Sequence, residues 1–192
     1  YMQETVPLGV GGMAAILGLE NSVVEECCRQ AASSGYVAPT NYNCPGQLVI
    51  AGEAAAVEHA CQLCKEKGAK RAKMLPVSAP FHCKLLEPAG IKLKEEMEHI
   101  TFHPMAIPLI TNLTGDYVKE SDSIKEVLVA QVSNPVRWED SIRRMIADGV
   151  DTFVDIGPGK ALCGFIGRIS KEAKAHNIED PASLEATLAA LG

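Results

Sequence analysis

The sequence predicts an α/β protein of two textures: a small ferredoxin-like βαββαβ module over residues 11–78, and a larger α/β layer formed by residues 1–10 and 79–192. Three observations carry this reading. Short apolar runs bounded by Gly and Pro turns alternate with segments of helical spacing. The first 78 residues follow the split order in which a hairpin separates two helices. Beyond Pro80 the helices lengthen and each strand stands alone between them, as in an α/β layer.

Pro7-Leu8-Gly9 signals a turn, and the apolar run after it, residues 12–19, predicts a strand. Asn21 is placed as the N-cap of a helix over 22–33, where Val23, Val24, Cys27, Cys28 and Ala31 recur at helical spacing before Gly35. Strands near 36–42 and 47–51 flank the turn Cys44-Pro45-Gly46 and predict a hairpin. Residues 53–67 repeat the helical pattern, stop at Gly68 and lead into an extended segment over 70–78. Helices are then predicted over 85–100, 123–133 and 138–148, with a buried strand over 107–111. Residues 152–156 read as a parallel-type strand, which Gly157-Pro158-Gly159 turns into a helix running to about Lys174. That glycine turn lacks the lysine and serine spacing of a phosphate-binding loop and is assigned a structural role.

Composition excludes several function classes. With 192 residues and 47% hydrophobic content the chain can bury a core. A formal net charge of −6 gives no global attraction to nucleic acid or to an anionic membrane. Seven cysteines at no disulfide-framework spacing predict a reducing, cytoplasmic compartment, and neither a membrane span nor a signal peptide is evident. The chain begins at Tyr1 in what reads as the polar tail of a helix, which predicts further sequence upstream. Local charge departs from the total once: Lys65, Lys67, Lys70, Arg71 and Lys73, with Lys84 beyond them, face only Glu66. Such a patch favours an anionic partner, and equally reads as a solvated helix end.

The segment richest in chemistry is Leu75-Pro76-Val77-Ser78-Ala79-Pro80-Phe81-His82-Cys83. A strand ending in a Pro-bounded turn would project the His82 imidazole from a sheet rim, where α/β proteins place reactive groups. A single loop histidine is also commonly a hydrogen-bonded surface residue. The company of other segments decides between these readings. NYNCPGQLVIAG (41–52), LPVSAPFHCKLLEPA (75–89), QVSNPVRWEDSI (131–142) and DIGPGKALCGFI (155–166) occur in that order. With them the chain resembles, over essentially its whole length, the malonyl-CoA:acyl carrier protein transacylases of fatty acid synthesis and the related acyltransferase domains of polyketide and fatty acid synthases.

The resemblance implies a partial α/β-hydrolase-like acyltransferase domain carrying the ferredoxin-like subdomain. It also implies a seryl-ester mechanism without cofactor or metal, in which malonyl-CoA is the donor and acyl carrier protein the acceptor. In that family the serine lies in a G-H-S-x-G elbow, and no G-x-S-x-G occurs among these 192 residues. The resemblance therefore implies an N-terminal segment bearing the serine, an arginine and an oxyanion-hole glutamine. His82 occupies the position of the family's base, and the backbone carbonyl of Gln131 the position that holds its other nitrogen. A helix-end carbonyl suits that task, because it lacks an intrahelical partner and sits at the negative end of the dipole. Phe81 occupies a position tied to the acyl unit chosen; a ring there disfavours an α-methyl group, and core packing is the alternative role. Asn41 and Asn43 are candidate substrate-binding residues, or simply turn residues. The basic residues 65–73 become a docking surface for an acidic carrier protein, although coenzyme A phosphates could use the same charges.

Two rival readings are weaker. Cys61-Gln62-Leu63-Cys64 resembles a redox or metal pair but lies on an amphipathic helix without further ligands at the required spacing. Cys83 adjoins His82, yet adjacent side chains on an extended chain point apart. A third possibility is a fragment that binds acyl carrier protein without turnover, since a base without its nucleophile accelerates little.

Overall fold

The structure is a computed structural model that describes residues 1–77, 79–119 and 124–192. After a single-turn helix α1 (Met2–Thr5), the chain enters β1 (Gly11–Leu17). Successive side chains of a strand leave on opposite faces. Ala14 and Ile16 of β1 accordingly enter one core, and Met13 and Ala15 another.

β1 pairs on both sides within a four-stranded antiparallel sheet of order β2-β3-β1-β4, where β2 is Val37–Cys44, β3 Gln47–Glu53 and β4 Arg71–Met74. Helices α2 (Asn21–Ala31) and α3 (Ala54–Glu66) cover one face. Their Val24, Cys27, Val57, Ala60 and Cys64 close on Ile16, Leu48 and Ile50 in the larger core. Each fully buried Ile or Leu there contributes about 1.5–3 kcal/mol relative to exposure. On the other face Met13, Val49 and Ala51 meet Cys83, with Tyr36, Leu75, Phe81 and Leu85 packed around them. The loop after β4 is therefore the cover of that second face.

The remainder starts with a 3-10 turn at Lys84–Leu86 that leads into α4 (Glu87–Glu96), against which α5 (Ile124–Ser133) packs. Between them β5 (Ile110–Thr111) and β6 (Asp116–Tyr117) form a short antiparallel pair. There follow α6 (Trp138–Ala147), β7 (Thr152–Ile156), α7 (Ala161–Ile169), β8 (Lys174–Ile178) and α8 (Pro181–Leu191). β7 and β8 pair in parallel, with Val154 opposite His176.

Among the contacts that tie this part to the small sheet, two lie at β2 and the hairpin turn. Val136 lies beside the outer edge of β2, donating its N–H to the Thr40 carbonyl at 2.7 Å and accepting from Tyr42 N at 2.9 Å. Arg168 of α7 donates to the Gln47 side chain at 2.6 Å and to the Pro45 carbonyl at 2.9 Å, gripping the hairpin turn.

Several sequence expectations need correction. Asn21 is the first residue of α2 rather than its cap; Glu20 holds the cap position. The strand expected over 107–111 pairs only at Ile110 and Thr111, and Ile107 is 77% exposed. Beyond that pair Val118 N donates to the Leu109 carbonyl at 2.8 Å, and residues 107 and 108 have no strand opposite them among the described residues. The helix expected to reach Lys174 stops at Ile169, because Ser170 turns extended and β8 follows. The predicted end of the module at Ser78 and helix start at Ser123 lie outside the described residues.

Gly52 reports on how tightly β2 and β3 approach. A Cβ there would stand 2.0 Å from the Tyr36 carbonyl oxygen, whereas one on Gly12 would press only on the flexible end of Met74 at 3.1 Å, with Ala54 at an ordinary 3.7 Å. Gly52→Ala should lose about 2–3 kcal/mol in urea unfolding by overpacking against backbone, and Gly12→Ala should lose less than about 1 kcal/mol. Equal effects would contradict this packing.

Candidate active site

The loop that covers the second sheet face is fixed at successive points. Leu75 N donates to the Met13 carbonyl at 2.9 Å, so the strand direction continues briefly past β4. Pro80 is fully buried over Gly11, where an added Cβ would lie 2.4 Å from Pro80 Cδ. The Cys83 thiol donates to the Pro80 carbonyl at 3.1 Å, and Leu86 N donates to the Cys83 carbonyl at 2.9 Å. Lys84 N donates to the Tyr36 hydroxyl oxygen at 3.2 Å.

His82, at the crest of this loop, has φ 58°, and among the described residues it alone of the non-glycines has a positive φ. Left-handed backbone at a residue with a Cβ costs about 1–3 kcal/mol and persists only where surroundings enforce it. The ring is half-buried, with Nδ1 lying 3.2 Å from the carbonyl oxygen of Gln131. A carbonyl can only accept, so Nδ1 carries the proton and, in the neutral ring, Nε2 keeps its lone pair. Gln131 lies in the last turn of α5. Its side-chain amide donates to the carbonyls of Asn134 at 3.0 Å and Pro135 at 3.3 Å, fixing the turn that delivers Val136 to β2. Thus β2, the end of α5 and the His82 loop form one closed circuit.

The other predicted residues are placed unequally. Phe81 packs against the Met13, Val49, Ala51 and Cys83 cluster, so its ring is anchored on the small sheet. Asn41 shares a 3.0 Å contact with the buried Thr40 hydroxyl, and no described hydrogen bond joins Asn41 or Asn43 to His82. Arg71 and Lys73 stand opposite Leu17 and Ala15, on the same sheet face as the His82 loop. Lys65, Lys67 and Lys70 are exposed around the end of α3, and none of these five cations forms an ion pair among the described residues. A separate concavity of about 810 Å³ is bordered by Glu98, Phe102, His103 and Lys125 and holds none of the predicted site residues.

Sequence reasoning missed Tyr36, Val136, Gly11 and the Gln131 side chain. Their signal was indirect. Only the alternation of β1 into two cores shows that a second cover is required, and nothing local marks Tyr36 as reaching the loop.

Residues 1–183 match the acyl transferase domain family. This chain belongs to that family. Among proteins similar to this acyl transferase domain is the malonyl CoA-acyl carrier protein transacylase of Escherichia coli K12, 44% identical over 188 residues, which are 98% of this chain and 61% of the relative. That of Bacillus subtilis 168 is 43% identical over 192 residues, again 61% of its length. The solved transacylase of Clostridium perfringens superposes with TM-score 0.96 at 46% identity, covering 99% of this chain and 60% of that one. A malonyl-transacylase solved in complex with its type II polyketide synthase acyl-carrier protein superposes with TM-score 0.94 at 41% identity, covering 98% and 61%. The chain therefore spans about three-fifths of the length of the relatives it matches.

Burial makes several thiols of this acyl transferase domain poor nucleophiles. Burial pushes the Cys83 thiol up to about 11 and, with neighbouring Cys27 and Cys61, the Cys28 thiol up to about 12. Cys64 is raised by burial and by its contact with Cys27. The Cys61 and Cys64 pair thus lies inside the α2–α3 core as protonated packing. No described group of three or more His, Cys, Asp or Glu residues could hold a metal ion. At about pH 8, iodoacetamide should label half-exposed Cys163 first and leave Cys83 untouched until the chain is unfolded. Rapid labelling of native Cys83 would contradict this packing.

Proposed function

We propose that the chain supplies the base-bearing part of a malonyl-CoA:acyl carrier protein transacylase of fatty acid synthesis. The observation that carries this reading is the His82 ring, bound through Nδ1 to the Gln131 carbonyl with Nε2 left as an acceptor. Names of similar proteins support the substrate and the acceptor. Residues 11–78 then form the ferredoxin-like subdomain, and 1–10 with 79–192 belong to an α/β-hydrolase-like domain. Seven free cysteines, six of them buried, fit a reducing cytoplasm. Among the described residues no helix is long and apolar enough to cross a membrane.

The nucleophilic serine belongs to a segment outside these 192 residues. Val154 and Ile156, two residues apart on one face of β7 and 40% and 80% exposed, offer that segment an apolar strip. In the first half-reaction the serine oxygen attacks the thioester carbonyl of malonyl-CoA while His82 Nε2 takes its proton. Collapse of the tetrahedral intermediate breaks the C–S bond, and the departing coenzyme A thiolate takes the proton from Nε2. In the second, Nε2 takes the proton of the carrier's pantetheine thiol, the sulfur attacks the seryl ester, and the serine oxygen leaves and is reprotonated. The positive charge formed on the ring each time faces the negative end of α5. The acyl group arrives already activated as a thioester, so no cofactor is required.

Phe81, held by the Met13 cluster, narrows the acyl site against an α-methyl group by about 1–3 kcal/mol. Asn41 and Asn43 bind the substrate or pantetheine amides. Lys65, Lys67, Lys70, Arg71 and Lys73 dock the acidic carrier, with Arg71 and Lys73 nearest in orientation to the His82 loop.

The test is intact-mass measurement after malonyl-CoA, on the chain alone and on the chain joined to the missing portion of a family member. The chain alone should gain nothing, and the joined protein one hydroxylamine-labile malonyl group. His82→Ala should slow acylation by roughly 10²–10⁴-fold. Gln131→Ala, which keeps the backbone carbonyl but removes the side-chain bonds to Asn134 and Pro135, should slow acylation less than His82→Ala does. Reversing Arg71 and Lys73 to Glu should raise KM for the carrier and spare that for malonyl-CoA. A His82→Ala protein acylated at the parent rate would refute the base role, and a joined protein that never gains a malonyl group would leave carrier binding without turnover.

A further inference from the structure

We propose that Tyr36 is a positioning residue for His82, its hydroxyl oxygen pinning the Lys84 N–H so that the small sheet enforces the left-handed backbone of the histidine. The inference rests on the proposed role of His82. Three observations carry it. His82 has φ 58°, so its turn must be held from outside. Lys84 N, two residues further on, donates to Tyr36 Oη at 3.2 Å across a separation of 48 residues. Tyr36 itself is fixed at both ends: its N–H donates to Glu53 Oε1 at 3.1 Å, its carbonyl accepts from Glu53 N at 2.7 Å, and its ring packs in the Met13–Cys83 cluster.

The loop is thus clamped on either side of the imidazole. Before it, buried Pro80 sits on Gly11; after it, the Lys84 amide is caught by the phenol. Without that acceptor, residues 82–84 can relax toward ordinary φ values, and the ring swings off the Gln131 carbonyl. Burial raises the Tyr36 phenol above its ordinary range, so it remains a neutral hydroxyl at physiological pH.

The test uses Tyr36→Phe, which keeps the ring and removes only the hydroxyl. In ¹⁵N-histidine-labelled chain, the His82 Nδ1–H proton should exchange with solvent severalfold faster in Tyr36→Phe than in the parent, with the His59 signal unchanged. Val57→Ala, in the core on the opposite sheet face, supplies a destabilised control that should leave the His82 proton alone. In the joined, serine-bearing protein, Tyr36→Phe should lower the acylation kcat roughly tenfold with KM for malonyl-CoA unchanged. An unaltered His82 proton in Tyr36→Phe would overturn the proposal. A changed proton in a protein that never accepts malonyl would keep the positioning role and sink the transacylase reading instead.

Discussion

The geometry of this domain turns on one strained residue. His82 adopts a left-handed backbone that Asn or Gly would enter more cheaply. An unsupported loop would relax out of it, because about 1–3 kcal/mol is comparable to what one or two net hydrogen bonds return. Support comes from three directions: the Gln131 carbonyl holds the ring, Pro80 is wedged on Gly11 before it, and Tyr36 catches the backbone after it. Each belongs to a different part of the chain, so the position of one imidazole integrates most of the fold.

The small sheet is the frame for all three. One of its faces is an ordinary helix-covered core that makes the module stable. The other is finished by the histidine loop itself, through Cys83, Leu85 and Phe81. Folding of the second face and placement of His82 are consequently the same event. The outer edge of β2 extends the frame by accepting Val136, which draws the end of α5, and with it the Gln131 carbonyl, to the loop. Cys83, beside the site, takes part as packing and as a donor to the Pro80 carbonyl, since burial keeps its thiol protonated.

Much of this was legible in the sequence because its signals are local. Apolar runs between turns gave β1, the hairpin and β7, and Gly68 marked the end of α3. The two prolines flanking residues 77–79 announced the loop. What escaped were features set by distant partners. β8, Lys-Ala-His-Asn-Ile, has too little apolar periodicity to read as a strand and exists through its parallel pairing with β7. Residues 107 and 108 carried strand-like composition without a partner strand among the described residues to realise it. The positive φ of His82 and the reach of Tyr36 across 48 residues have no local signature at all.

The most direct measurement is the through-hydrogen-bond scalar coupling between His82 Nδ1–H and the Gln131 carbonyl carbon in ¹⁵N,¹³C-labelled chain. A resolved coupling, with Nε2 unprotonated in the neutral ring, is the predicted result. A neutral ring protonated at Nε2, with no coupling to Gln131, would contradict the account: the nitrogen meant to act as base would already hold its proton.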